Sequence, residues 1–495
     1  DRQSLGVDNV TGATISSFAL KGAVKKALEQ AKVSKADMAA LQKNSEKYTA
    51  LPDEIKTQVV IVGGGGSGLA AAIAAQQAGA KVIVLEKLGL LGGSTNVSEG
   101  ALNAADPERQ GKQGIEDSIQ KHYEQTMKGG HDIGTPELVH YLTENALPTL
   151  HWMESLGVKF KPEVGTATGA LWQRSHYPAT PSGNSYIRVY QKYIADHAKD
   201  MTVYTDMTVE SLIKDKNGRI IGVTAKDGHT GKVTKFMASN GVVVATGGFG
   251  ANVALRQKVN TGVFKDYDLG KGIGCTNFSK SAQGAGIEMG EKVGANVIGM
   301  SDIQVHPCGT PGTGLMEMVR TSGRNRVFIN EQGNRFVNEG AARDVLAKAI
   351  FAQPHSTYYV LVNHLRYPSL DWVDANGAKM KDMIDLGRVV SAPTLDELAK
   401  KLNMPVENLK KSIADYNAVV EGKAKDALGF QANNKADKVM TEGPWYACKK
   451  VPTVHHTMGG LQINTKAQVL DKNGKVIPGL YAAGETTGGI HGSNR

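Results

Sequence analysis

The 495-residue chain contains only three cysteines, at positions 275, 308 and 448. They are too few and too widely spaced for a disulfide framework. No C-x-x-C pair is present, which excludes a dithiol reductase, and no C-x-x-C-H is present, which excludes attached c-type haem. We predict no metal site.

Long apolar runs are also missing. No stretch reaches the roughly 18 residues that a membrane span needs, so we predict a chain that does not cross a membrane. The net charge is +9 but it is dispersed, with no basic block and no nucleic-acid motif. This surface suits anionic cofactors and small carboxylates, and we predict no nucleic-acid partner. No signal peptide is visible, but the abrupt opening DRQSLGVDNVTGATISS is typical of a fragment, so the compartment stays open.

The most informative segment is VVIVGGGGSGLAAAIAAQQAGAKVIVLEK, residues 59–87. An apolar strand precedes Gly63, Gly65 and Gly68, an alanine-rich helix follows, and a second apolar run ends at Glu86. These glycines permit a tight turn against a pyrophosphate at the helix N-terminus, and the carboxylate can bind a ribose hydroxyl. The complete pattern predicts dinucleotide binding.

Three further glycine-rich segments follow predicted strands. Residues 92–95 (GGST), 245–250 (ATGGFG) and 482–489 (AAGETTGG) could each approach the same cofactor, because ligands bind beyond the carboxyl ends of parallel strands. Taken alone, the first of these could equally be an ordinary loop.

Periodicity predicts the remaining elements in outline. In residues 202–246 apolar and polar residues alternate as in antiparallel strands. The last part of this segment, 241–246, is predicted to return to the parallel sheet. Helices are predicted at 15–31, 35–43, 113–157 (interrupted at Pro148), 186–199 and 283–293.

Several polar residues could form a carboxylate pocket. Taken singly, each has a structural explanation: Glu317 and Arg320 as a surface ion pair one helical turn apart, Arg343 in a capped helix, His455 in the core. Together they could clamp a carboxylate, for which the planar guanidinium is well suited. The set comprises His306, Glu317, Arg320, Arg343, His455, His456 and Arg495.

Four segments carry a family resemblance: HPCGTPGTGLMEMVR, NEQGNRFVNEGAARD, VHHTMGG and PGLYAAGETTGGIHGSNR. They resemble the soluble fumarate reductases of the flavocytochrome c type and their relatives that reduce urocanate and other 2-enoates, over residues 56–495. The resemblance implies an α/β fold, with a Rossmann-like FAD-binding domain and an inserted α+β clamp domain. The implied boundaries are 1–50 (the remnant of an FMN-binding domain with a helical linker), 56–305 and 455–495 (FAD-binding domain, the second part truncated) and 306–454 (a mobile clamp).

The resemblance also implies roles for residues. Hydride passes from FAD to an activated alkene carbon, Arg343 donates the proton, and Glu317 and Arg320 reprotonate it. His455 and Arg495 bind one carboxylate, and His306 grips the other end of the substrate. The implied non-covalent FAD contacts are Gly63, Gly65, Gly68, Glu86, Gly93, Ser94, Gly247, His456, Gly484 and Glu485.

The substrate is left open by one departure from the family. Met316 stands where fumarate reductases have a threonine that helps to bind the distal carboxylate. Fumarate, acrylate, an arylacrylate and urocanate therefore all remain candidates. A flavin dehydrogenase or oxidase working in reverse, and a flavin electron carrier without a substrate pocket, are the alternative functions.

The opening DNVTGAT resembles the end of a covalent FMN-binding domain, which implies FMN on Thr14 in the intact protein. The alternative is that Thr11 or Thr14 simply caps the next helix. The resemblance further implies an upstream electron donor, a cytochrome or another reductase, and a periplasmic protein of anaerobic respiration.

Overall fold

The computed structural model describes residues 14–38, 49–180, 182–277, 280–316, 319–372, 379–432 and 437–494. Glu317 and Arg495 lie outside these ranges, as does the side chain of Thr14. The described helices are Thr14–Gln30, Gly66–Gln77, Pro107–Gly111, Ile119–Gly129, Pro136–Ser155, Asn184–Asp196, Val253–Val259, Ala285–Lys292, Arg343–Phe351, Met380–Asp385, Leu395–Leu402 and Val406–Val420.

The described strands, in chain order, are β1 (Glu54–Val62), β2 (Val82–Leu85), β3 (Leu102–Asn103), β4 (Phe160–Gly165), β5 (Ser175–Pro178), β6 (Met201–Tyr204), β7 (Met207–Lys214), β8 (Ile220–Asp227), β9 (Val233–Val244), β10 (Val297–Ile298), β11 (Ile303–Gly309), β12 (Val327–Ile329), β13 (Tyr358–Asn363), β14 (Val390–Ala392), β15 (Trp445–Thr457), β16 (Gly460–Leu461), β17 (Gln468–Leu470) and β18 (Val476–Ala482).

The chain divides into two units, of which the smaller holds residues 1–52 with 229–232. In the smaller unit the helix Thr14–Gln30 confirms the helix predicted at 15–31, and residues 35–38 are helical as predicted. The remainder of that second helix, 39–43, lies outside the described residues.

The larger unit is built on an eight-stranded sheet. Strands β18, β9, β1, β2 and β6 are parallel neighbours in that order. Strand β17 pairs antiparallel with β18 at one edge, and β8 pairs antiparallel with β9 and with β7. The apolar end of β1 is fully buried because helices cover the parallel core, which is why it reads as a continuous apolar run. The α/β, Rossmann-like prediction is confirmed.

Two sequence predictions about this unit are wrong. Residues 201–204 form β6, which lies parallel to β2 rather than in the antiparallel unit, because the preceding helix Asn184–Asp196 brings the chain back across the sheet. Pro148 does not interrupt its helix, which runs unbroken over Pro136–Ser155. Buried Ala146 and Leu150 flank the proline, and this tertiary packing outweighs the lost backbone hydrogen bond.

A second sheet lies within residues 303–457. Its strands run antiparallel in the order β11, β15, β13 and β12, with β14 also paired to β15. Its two faces pack against helices, with Leu346 and Ile350 in one core and Leu398 and Leu409 in the other. The segment predicted as the clamp thus has its own α+β core, while its boundaries at 306 and 454 and its mobility stay predictions.

A buried histidine makes stability depend on pH. His122 lies on the helix Ile119–Gly129, and burial, assisted by the nearby charge of Arg174, lowers its pKa to about 4. Between that pH and the ordinary histidine pKa near 6.5 the unfolded chain binds a proton that the folded chain does not. We expect the free energy of unfolding to fall as pH drops through this window, by up to about 1.4 kcal/mol per unit from this residue.

Urea unfolding at several pH values measures this effect. The His122→Gln variant should lose stability less steeply between pH 6.5 and 4 than the unmodified chain. His151→Gln, on an exposed helical position, is the matched control and should leave the slope unchanged. Identical slopes for all three proteins would show that His122 titrates normally.

Candidate active site

The first glycine-rich turn connects β1 to the helix Gly66–Gln77. Gly63 has a φ of +105°, and a Cβ there would overlap the carbonyl oxygen of Ala245 on the neighbouring strand end. Gly65 precedes the helix as its N-cap, and a Cβ there would meet only the Gly92 carbonyl oxygen, at 4.0 Å. The backbone therefore leaves room for a ligand directly at the positive end of the helix.

Glu86 ties this turn to the next strand. Its Oε2 accepts a hydrogen bond from the Gly64 amide at 2.7 Å, and its Oε1 accepts one from the Leu88 amide at 2.8 Å. The segment 92–95 joins the same turn, since the Gly92 amide donates to the Gly64 carbonyl at 2.7 Å. The two glycine-rich segments therefore form one continuous cradle, which the sequence alone left open.

A cavity of about 390 Å³ opens above this cradle. Lys87 also lines it, although it was not predicted, and burial lowers the pKa of its amine. One predicted FAD contact, Gly68, does not line the cavity. A Cβ at Gly68 would overlap the Gly63 carbonyl oxygen, so this glycine allows the helix to pack closely against the turn. Nine of the ten predicted contacts line the cavity: Gly63, Gly65, Glu86, Gly93, Ser94, Gly247, His456, Gly484 and Glu485.

A second cavity of about 600 Å³ adjoins the first. Ser94, Thr95, His456 and Glu485 line both cavities. The carboxylate Oε1 of Glu485 accepts hydrogen bonds from the Thr457 amide at 2.9 Å and hydroxyl at 3.2 Å, and lies 3.4 Å from His456 Nδ1. A ligand in one cavity can therefore touch a ligand in the other.

Arg343 enters the second cavity from the first turn of the helix Arg343–Phe351. Its Nε donates to the Thr168 carbonyl at 2.8 Å and its Nη1 to Gln304 Oε1 at 2.7 Å. Gln304 in turn donates to Asn494 Oδ1 at 3.4 Å. The guanidinium is thus buried and held in a defined orientation by groups distant in sequence.

Both histidines of the pair at 455–456 line this cavity, which a regular strand would prevent because successive side chains alternate between faces. Strand pairing explains the exception: Gln304 is opposite His456 but Val305 is opposite Val454, so His455 is the extra residue of a β-bulge. Bulges near sites commonly redirect a side chain in this way.

His455 is thereby brought next to His306. Their ring centroids are 4.9 Å apart, and His455 Nδ1 lies 2.8 Å from the Thr276 hydroxyl. His306 is 3% exposed, and its Nδ1 accepts from the Cys308 amide at 3.3 Å. The prediction that residues about 150 positions apart share one pocket therefore agrees with this placement.

Arg320 has a partner that the sequence did not reveal. Its Nε lies 3.2 Å from Glu99 Oε1, and Glu99 lines the large cavity. The predicted pair of Arg320 with Glu317 stays a prediction, since Glu317 lies outside the described residues. Residues 319–326 are irregular, so helical spacing does not govern this segment.

Both acidic and basic groups line the large cavity. Arg343 and three histidines lie on its walls together with the carboxylates of Glu99 and Glu485, and the N-terminus of the helix that begins at Arg343 adds partial positive charge. Met316 also lines it, while Arg495 lies outside the described residues. The arrangement suits a small carboxylate next to a bound dinucleotide.

Comparison with known proteins agrees with this geometry. The profile of the FAD binding domain family matches residues 58–495. The chain belongs to the FAD binding domain family. A second profile, that of the FMN-binding domain, matches residues 1–29. Both cofactor predictions, FAD and FMN, are therefore confirmed at the level of these matches, and attachment of FMN to Thr14 remains a prediction.

Three similar proteins show which members of the FAD binding domain family this chain resembles. A Vibrio harveyi protein named NADH:acrylate oxidoreductase is 34% identical over 100% of this chain and 54% of its own length. The urocanate reductase of Eggerthella lenta is 35% identical over 100% of this chain and 80% of its own. The solved open conformation of a flavocytochrome c3 fumarate reductase has a TM-score of 0.69 and 32% identity, covering 94% of this chain and 77% of that one.

The chain thus spans about half the length of the Vibrio relative. Within the described ranges, no helix has both the length and the apolar character needed to cross a membrane.

Proposed function

We propose that this protein is an FAD-dependent reductase of an α,β-unsaturated carboxylate. The observation that carries the proposal is the junction of two cavities: a dinucleotide cradle meets a pocket whose walls carry Arg343, His306 and His455. A flavin in the first cavity and an enoate in the second would lie in contact at His456 and Glu485.

The cradle fits FAD because it offers a turn free of side chains, a helix N-terminus for the diphosphate and the carboxylate of Glu86. When bound, FAD supplies the hydride. The further contacts are those lining the smaller cavity, including Gly93, Ser94, Gly247 and Gly484.

The histidines hold the two ends of the substrate. His455, with Arg495 assigned to the same group by family resemblance, binds one carboxylate, and the neighbouring His306 contacts the other end of the substrate. Withdrawing electron density through the carboxylate makes the β-carbon electrophilic, so these donors stabilise charge that develops in the transition state.

Arg343 delivers a proton to the α-carbon as the β-carbon receives hydride. A guanidinium has a pKa above about 12, so it is an acid only toward a strongly basic centre such as a carbanion-like carbon. Its hydrogen bonds to Thr168 and Gln304 hold it in place for this transfer. Glu317 and Arg320 are proposed to return the proton to Arg343 from solvent.

An acceptor screen tests the proposal. The FAD-loaded protein should oxidise a reduced viologen dye only when an enoate is added, with fumarate, acrylate, cinnamate and urocanate as the panel. An electron carrier would give no acceptor-dependent turnover. A dehydrogenase or oxidase would instead consume the saturated acid.

Met316 provides a second prediction. Threonine at this position would add a hydroxyl donor to the cavity wall that methionine lacks. We expect Met316→Thr to raise kcat/KM for fumarate relative to acrylate by about tenfold, the worth of one hydrogen bond to a charged group. Met316→Leu, which adds no donor, is the control, and an unchanged ranking in Met316→Thr would remove this residue from the selectivity argument.

The setting of the reaction is proposed from the relatives. The V. harveyi relative is named for NADH, and FMN on Thr14 would pass electrons from an upstream donor, a cytochrome or another reductase, to FAD. A fumarate reductase of Shewanella frigidimarina is named as a cytochrome enzyme, which supports a cytochrome as the donor. We propose a periplasmic role in anaerobic respiration as the setting. Intact-mass measurement of the protein with its complete FMN domain, and of Thr14→Ala, tests the attachment.

A further inference from the structure

Two carboxylates line the 600 Å³ cavity together with Arg343 and three histidines. Glu485 is held by Thr457 and lies beside His456, whereas Glu99 lies in the loop between the 3₁₀ turn Gly93–Val97 and β3. Neither the glycine-rich motifs nor the proposed chemistry requires an acid at this position. Its presence in the pocket therefore needs its own explanation.

The counter-ion of Glu99 lies behind it. Arg320 Nε is 3.2 Å from Glu99 Oε1, with side-chain exposures of 24% and 20%, yet Arg320 is not among the residues that line the cavity. A ligand in the cavity therefore meets the carboxylate before it meets the guanidinium. The Nη2 of Arg320 is buried with no hydrogen-bond partner among the residues that the structure describes.

We propose that Glu99 is a specificity-determining residue that selects a monocarboxylic 2-enoate over a dicarboxylate such as fumarate. The inference rests on the proposed function and narrows its substrate class. The favoured substrate carries one carboxylate, held by His455 with Arg495, and at its other end, near His306, a β-substituent that is neutral or donates a hydrogen bond.

Electrostatics supports this selection. A fumarate dianion keeps its second carboxylate inside the same cavity, where Glu99 repels it and where Met316 and Leu315 add no donor to that of His306. The field of Glu99 also reaches the neighbouring Tyr177, whose pKa is raised to about 12 by burial and by the Glu99 charge, against the opposing effect of Arg320 and Arg343. The pairing with Arg320 thus does not cancel the effect of the Glu99 charge on this neighbour, and Glu99 itself lines the cavity.

The test compares acceptors in the FAD-loaded protein and its Glu99→Gln variant. Glutamine keeps the shape of the side chain and can still accept from Arg320, but it removes the negative charge and leaves the guanidinium uncompensated. We expect the ratio of kcat/KM for fumarate to that for acrylate to rise by about tenfold or more, the size expected for one relieved like-charge contact. Glu99→Asp, which restores the charge, should return the ratio most of the way toward the unmodified value.

A binding measurement separates selectivity from damage to the fold. Succinate and propionate, the saturated counterparts of the two acceptors, should compete as inhibitors, and Glu99→Gln should tighten succinate about tenfold more than propionate. Glu154→Gln is the matched control: it removes the carboxylate from another partly buried glutamate–arginine pair, with Arg109, outside the cavity. That variant should leave both ratios unchanged.

The outcomes separate the two proposals. Turnover with enoates but equal ratios in the unmodified and Glu99→Gln proteins overturns the role of Glu99 and leaves the reductase proposal intact. A preference of the unmodified protein for fumarate over acrylate would likewise overturn the role of Glu99 and leave the reductase proposal intact. Absence of turnover with every enoate overturns the proposed function and this inference with it.

Discussion

Arg343→Ala should abolish reduction of every enoate while leaving FAD bound. The guanidinium lines the larger cavity and not the proposed FAD cavity, so its removal should take away only the proposed proton donor. Loss of general-acid catalysis costs about 10²–10⁴-fold in rate, and we expect a fall in kcat of at least about 10³-fold. Dye-linked turnover and the flavin-to-protein absorbance ratio measure the two parts of this prediction.

Lys348→Ala is the control for this experiment. It removes a cation from the same helix, Arg343–Phe351, without touching either cavity, so its kcat should stay close to the unmodified value. Arg343→Lys keeps the charge but not the two bonds to Thr168 and Gln304, and should retain only a small part of the rate. Near-normal turnover by Arg343→Ala would mean that another group donates the proton.

Gly63→Ala should remove FAD and lower stability together. The residue combines a φ of +105° with the carbonyl oxygen of Ala245 at the place where a Cβ would stand. The backbone strain alone costs about 1–3 kcal/mol, and relief of the overlap must move the turn out of the dinucleotide cradle. We expect an FAD affinity lower by at least about tenfold, because 1.4 kcal/mol corresponds to that factor.

The matched substitution is Gly111→Ala. This glycine ends a short helix, has an ordinary φ, and has open space where an alanine Cβ would stand, with nothing within 4 Å. Alanine there should keep full FAD binding and leave the unfolding temperature unchanged or slightly raised, since alanine favours helix by up to about 1 kcal/mol. Flavin titration and thermal unfolding of the two variants, side by side, test the geometry of the turn. Equal FAD affinities would contradict it.

The two experiments address different cavities. Arg343 concerns the chemistry of the substrate pocket, and Gly63 concerns the cradle that holds the cofactor. Loss of turnover in Arg343→Ala and loss of flavin in Gly63→Ala would show two separate sites that adjoin. The residues His456 and Glu485, which line both cavities, lie where the two sites meet.

Local pattern was sufficient for the dinucleotide cradle. Strand, glycine turn, helix and acid are consecutive in residues 59–87, and each has a short-range physical requirement that one residue type meets. The same reasoning extended to β9, where 241–244 returns to the parallel sheet as predicted. It failed at 201–204 and at Pro148, where the partner strand and the flanking core decide the outcome.

Long-range contacts determined the rest of the candidate site. The β-bulge that turns His455 toward His306 depends on the register of β11 against β15, which no local signal at 455–456 encodes. The bonds that hold Arg343 come from residues 168 and 304, and the partner of Arg320 lies more than two hundred residues earlier in the chain.

The sequence by itself determined the cofactor cradle, because the cradle follows from apolar periodicity and from backbone conformations that only glycine adopts readily. The fold class came from the family resemblance, and the residues of the second pocket were named only as predictions. Only the tertiary structure decided which side chains face the larger cavity and that Glu99 and Glu485 lie there beside Arg343 and the histidines. Those features depend on strand register and on contacts between distant segments, and such contacts exist only once the chain has folded.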